Sequence, residues 1–264
     1  MRKKILLCVC LAMLCAGCTG PEMESSVSSA TPSPGGEVFS VPGPSDGSDP
    51  AREPESAGFD PEKEMPGVTF YTLDRTTTVD GRELTLRLHG RVDMTDGFER
   101  IGISAIEVLE EETLLQTLSV LDAHDELYRQ EGIKDWIGKF EWTDCWTQDG
   151  FLAVDDLNFD GFPDIRLMSQ AGVVNITYLC WLWDPEAGQF TYAFSLLGYD
   201  VQIDSDANQL VAQTRSGWGQ YDTDYYRYDN ETRTLLHLKQ IHEDQVDHVT
   251  LVYELIDGEW TQIS

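Results

Sequence analysis

Basic side chains are scarce in this chain: 18 Lys and Arg stand against 47 Asp and Glu over 264 residues, a formal charge of −29. A surface of that sign excludes nucleic-acid binding, which needs cations at the phosphates. It is also repelled by an anionic membrane face. What it attracts is cations and basic proteins, through long-range steering; part of the charge serves solubility alone. Long apolar runs are missing too. The run Ile5–Leu14 is too short to span a bilayer and stay there. Cysteine is sparse: of six, Cys8, Cys10, Cys15 and Cys18 sit at the N-terminus, leaving only Cys145 and Cys180. No Gly-x-Ser-x-Gly elbow or phosphate-binding glycine loop occurs. The five histidines (His89, His124, His237, His242, His248) lack zinc-type spacing. No carboxylate pair for sugar hydrolysis stands out among so many acids. These absences argue against an enzyme.

The N-terminus carries a targeting signal. Arg2, Lys3 and Lys4 precede the apolar run, which stops at Cys15-Ala16-Gly17-Cys18. Small residues before a cysteine resemble the lipobox of bacterial lipoproteins. That resemblance implies a signal peptide over residues 1–18, lipidation of Cys18, and a protein lipid-anchored to the cell membrane and facing outside the cytoplasm. Ordinary cleavage and a soluble secreted protein form the alternative. Residues 19–65 are rich in Ser, Pro, Gly and Glu and poor in large apolar side chains. Such a stretch cannot bury enough surface to offset its ordering entropy. As a flexible acidic tether it reaches roughly 40 Å. Residues 66–264 are long enough for one sizeable domain. Outside the cytoplasm its lone pair, Cys145 and Cys180, is expected to form a disulfide; two buried thiols are the alternative.

The domain reads as all-β, with antiparallel hairpins in a propeller-like or packed-sheet array and one short helix. Glu83 to His89 alternates polar and apolar, the period of a half-buried strand. Arg100 to Val108 and Thr113 to Val120 flank an acidic turn, Glu110-Glu111-Glu112. A helix is expected with Asp122 as N-cap and Gly132 just past its end. Three hairpins follow: Tyr178 to Phe194 around Asp184-Pro185, Tyr225 to Ile241 around Asp229-Asn230, and Thr250 to Ile263 around Asp257-Gly258. Trp142, Trp146, Trp181 and Trp183 stand in strand-like contexts, where core packing is the default.

The most specific motif is Asp156-Leu-Asn-Phe-Asp-Gly-Phe-Pro-Asp164. Asp156, Asn158, Asp160 and Asp164 place oxygen side chains at positions 1, 3, 5 and 9. Gly161 falls where a calcium loop turns sharply, and Phe162 can offer its carbonyl. The pattern predicts a structural calcium ion, bound without the bidentate Glu of a helix-loop-helix site, since Leu167 holds position 12. A second segment, Ser216-Gly217-Trp218-Gly219-Gln220-Tyr221, reads as a glycine-flanked loop. Its Trp218 either folds back onto the core or fills a partner's pocket.

The calcium loop, the Trp-Asp-Pro hairpin and the Ser-Gly loop before Tyr221 occur in this order. Together they resemble a family of calcium-binding bacterial envelope lipoproteins, related to periplasmic lysozyme inhibitors and to immunity proteins against peptidoglycan-cleaving effectors. The resemblance implies calcium as the cofactor. It also implies a partner-binding loop at Ser216, Gly217 and Tyr221, to which the glycine-flanked Trp218 of the same segment is added from its own residue pattern, with a basic cell-wall hydrolase as partner. The alternative is a cell-surface carbohydrate-binding protein or hydrolase with an unrecognised site.

Overall fold

The computed structural model describes residues 67–95, 97–145, 151–171 and 174–264. Cys18, the tether and Trp146 lie outside these residues. Among the described residues, no helix is long and apolar enough to cross a membrane.

Three antiparallel sheets make up the domain, and none closes into a barrel. The first contains β1 (Val68–Val79), β2 (Arg82–Asp93), β3 (Arg100–Glu110) and β4 (Thr113–Ser119). The alternation seen in the sequence becomes the core face of β2, where Leu84, Leu86 and Leu88 are fully buried. The acidic turn lies where expected. Glu111 and Glu112 adopt φ of 47° and 65°, the twist that a two-residue hairpin requires.

Helix α1 (Val120–Glu131) follows directly from β4. Its cap differs from the expectation. Ser119 is the N-cap, and its hydroxyl accepts the Asp122 N–H at 3.2 Å. Asp122 instead supplies negative charge within the first turn, which the helix dipole favours. The C-terminus is as read: Gly132 turns left-handed, and Ile133 N–H reaches the Tyr128 carbonyl at 2.8 Å.

The second sheet contains β5 (Leu152–Asp155), β6 (Asp164–Ala171), β7 (Ile176–Asp184) and β8 (Gln189–Gly198). Trp181 and Trp183 point into its core, each 3% exposed. Trp142 is only half-buried. The third sheet is a six-strand meander: β9 (Asp200–Asp204), β10 (Gln209–Gly217), β11 (Gln220–Asp229), β12 (Thr234–Asp244), β13 (Val249–Ile256) and β14 (Glu259–Gln262). All three expected hairpins form. Side chains join the sheets. The Gln116 amide exchanges two hydrogen bonds with the Phe190 backbone, tying β4 to β8. Arg166 on β6 donates to the Val201 carbonyl on β9.

The expected disulfide is not formed; both domain cysteines are free and buried. Cys145 sits in an isolated bridge with Ile101, and its thiol donates to the Met168 carbonyl. Cys180 lies mid-strand on β7, paired with Arg166 and Phe194. Burial pushes the Cys145 thiol up to about 12 and raises Cys180 as well. Thiolate, the reactive form, is therefore suppressed at both.

Replacing Ser119 with Ala should cost about 1 kcal/mol in urea unfolding, as expected for a lost N-cap. Asp122→Ala should cost clearly less. Equal losses would contradict the assignment of the cap.

Candidate functional site

The segment Asp156–Pro163 links β5 to β6, and its acids bond mainly to its own backbone. Asp156 accepts the N–H groups of Asp160 (3.1 Å) and Gly161 (2.9 Å). Asp160 accepts the Phe162 N–H at 2.9 Å and the Asn158 amide at 2.8 Å. Gly161 takes φ of 90°, a conformation that side chains resist. The chain thus wraps around the side chains at positions 1, 3 and 5. Asn158 also joins the loop to the β11–β12 turn: its amide donates to Asn230, whose own amide donates to the Asn158 carbonyl.

Asp164 behaves differently. It opens β6 and is fully buried. One carboxylate oxygen accepts the Leu157 N–H and the other accepts the Trp183 N–H, both at 2.8 Å. This carboxylate therefore ties the start of the loop to β7. Burial pushes its pKa up to about 7; the two amides oppose that shift, while the charges of Asp160 and Asp156 add to it.

The donors suit a hard cation in kind: all are oxygens, and each carboxylate oxygen keeps a lone pair beyond its amide bond. Flanking cations do not neutralise them, because Arg166 pairs with Asp155 and Arg233 with Asp184. Among the described residues, no three His, Cys, Asp or Glu side chains converge closely enough to hold a metal.

The second candidate, the Ser216–Tyr221 segment, is the tip of the β10–β11 hairpin. Ser216 is the extra residue of a β-bulge, exposed and outside the ladder. Trp218 projects outward with 83% of its surface exposed, so it does not fold back onto the core. Tyr221 lies lower, opposite Arg215, whose guanidinium sits 6.0 Å above its ring. The neighbouring β12–β13 turn braces the tip. Gln245 N–H donates to the Gly219 carbonyl at 2.8 Å, and Val246 lies so near Gly219 that a Cβ there would approach it to 2.9 Å. Val246 on that turn and Val249 at the start of β13 are exposed as well.

Other polar pairs gave no signal in the sequence. His237 lies 2.8 Å from Asp224 and stacks on Tyr226, and His242 lies 2.6 Å from Asp222. Strand register brings these residues together from positions far apart in the chain. His124 is buried between the Phe140 carbonyl and the Ser169 hydroxyl, and burial lowers its pKa.

No known protein family matches the chain, and no curated protein does. A solved structure described as a Xanthomonas Type IV Secretion System related protein aligns over 75% of this chain and 99% of that chain. Its TM-score is 0.47 at 14% identity. A likeness this low transfers neither fold nor role.

Asp164→Ala would orphan two buried N–H groups, each costing about 1–3 kcal/mol. In chelator, we expect a loss of roughly 3 kcal/mol in urea unfolding, against under about 1 kcal/mol for Asp160→Ala. Equal losses would remove the anchoring role of Asp164.

Proposed function

We propose that this chain is a lipid-anchored, calcium-stabilised extracytoplasmic binding protein, not an enzyme, that docks through its β10–β11 tip into a basic cell-wall hydrolase and inhibits it. The observation that carries the reading is Trp218, 83% exposed on a hairpin held in place by a second turn. A bulky aromatic at a braced tip is already positioned, so little side-chain and loop entropy is lost on insertion into a pocket. Bulged Ser216 and the Arg215–Tyr221 pair flank it. The net charge of −29 speeds encounter with a basic protein. Cys18 anchors the chain to the membrane, and residues 19–65 hold the domain away from it.

Calcium enters at Asp156, Asn158, Asp160 and Asp164, with the Phe162 carbonyl as a further donor. Its role is electrostatic. It neutralises carboxylates that have no cationic partner among the described residues and locks the loop against β7.

Calcium at about a hundredfold excess over its dissociation constant adds roughly 2.7 kcal/mol to the folded state. For a domain of this size that raises the melting temperature by about 5–10 °C relative to chelator. The Asp156→Ala/Asp160→Ala double variant should show no such rise. An unmoved wild-type melting temperature would end the calcium reading.

For docking, the purified chain should slow a basic lysozyme-class hydrolase. Trp218→Ala should weaken that inhibition by about thirtyfold, the loss of a hot-spot residue. A chain that neither binds nor slows any such hydrolase overturns the proposal.

A further inference from the structure

One concavity runs against the acidity of the chain. A cavity of about 410 Å³ lies at the open end of the first sheet, beneath the segment 139–144. Arg91, Arg100 and Lys139 line it, opposite Asp93, Glu141 and Asp144. Cations equal anions here, although acids outnumber bases 47 to 18 in the whole chain.

Arg91 is the unusual member. Its guanidinium stacks on the Trp142 ring, 4.6 Å from the centroid. Most arginines of this domain bond to a carboxylate or a carbonyl, as Arg82 does with Glu110 and Arg87 with Asp74. Among the described residues Arg91 makes no hydrogen bond and no close ion pair; its nearest anion on the lining is Asp93, whose carboxyl is held below its usual range by the Thr95 hydrogen bonds first and by the charges of Arg91 and Arg100 after them. The fold makes room for this arrangement. Arg91 faces Gly102 across the β2–β3 ladder. A Cβ on Gly102 would come within 3.0 Å of the Thr143 carbonyl and 3.2 Å of Arg91 Nε. The bare Cα lets the arginine cross the strand and reach Trp142, which Phe70 supports from 5.9 Å.

The acids of the lining define the ligand further. Asp144 is held by Arg100 at 3.2 Å, and one Asp93 oxygen takes both the N–H and the hydroxyl of Thr95. Glu141 is exposed at the rim. These carboxylates would repel a dianion but accept hydroxyl donors. A stacked guanidinium offers paired in-plane N–H groups, the geometry that grips one carboxylate. Indole and phenyl surfaces from Trp142 and Phe140 complete a cavity that mixes aromatic and polar walls and has the size of a small-ligand site.

We propose that this cavity binds a carboxylate-bearing sugar, with Arg91 gripping the carboxylate and Glu141 accepting a ring hydroxyl. The site is separate from the Trp218 tip and does not depend on the docking role.

The test uses the full chain and three probes, glucuronate, glucose and inorganic phosphate, followed by NMR chemical-shift titration. Glucuronate should bind about tenfold more tightly than glucose, the worth of one charge-assisted bidentate contact. Arg91→Gln should erase that preference. Glu141→Gln, a rim change that leaves the fold intact, should reduce binding of both sugars by a few-fold while keeping the preference. Trp218→Ala should leave glucuronate binding unchanged, even where it weakens hydrolase inhibition. The assignment is overturned if glucuronate binds no better than glucose, if Arg91→Gln retains the preference, or if phosphate binds more tightly than glucuronate.

Discussion

The buried carboxylate of Asp164 is the interaction on which the central sheet depends. It reaches backward along the chain to Leu157 and sideways to Trp183, so one side chain fixes both the entry to the loop and the end of β7. Holding a carboxylate out of water is costly, and two amide donors offset part of that cost. The remainder appears as a raised pKa, increased by the charges of Asp156 and Asp160. Residues that read as one ligand set thus divide by environment. Asp156 and Asp160 shape the loop near its surface, buried Asn158 ties it to the β11–β12 turn, and Asp164 anchors it from within the sheet.

Much of the architecture was legible because it rests on local patterns. The alternation around Leu84, Leu86 and Leu88 gave β2, and the Asp turns gave the later hairpins. The helix is legible in the sequence, but its cap lies three residues before the expected Asp122. Asp122 and Ser119 are both good cap residues, and the choice depended on where β4 ends. The short strand β9 was not anticipated. Its five residues are identified by pairing with β10, a tertiary fact. Site residues followed the same division. The nonapeptide could be read because its donors are close in sequence. The Arg91–Trp142 stack and the His237–Asp224 pair could not, since folding alone brings their partners together.

Two readings turned on orientation, which sequence does not encode directly. Cys145 and Cys180 are both buried, yet Cys145 turns its thiol to the Met168 carbonyl and both stay free. Trp218 could have packed inward. The bulge at Ser216 and the left-handed Gly219, which leaves space for Val246, present it to solvent instead.

Consecutive pairing has a kinetic consequence. Among the described residues, each strand of the three sheets bonds to the strand before or after it in the chain, and only isolated bridges such as Ile101 to Cys145 join more distant segments. Every ladder therefore closes a short segment, at small loop-closure entropy. Assembly can proceed hairpin by hairpin as the polypeptide becomes available, without waiting for its far end. An all-β protein built this way escapes much of the slow, aggregation-exposed search that long-range strand pairing imposes.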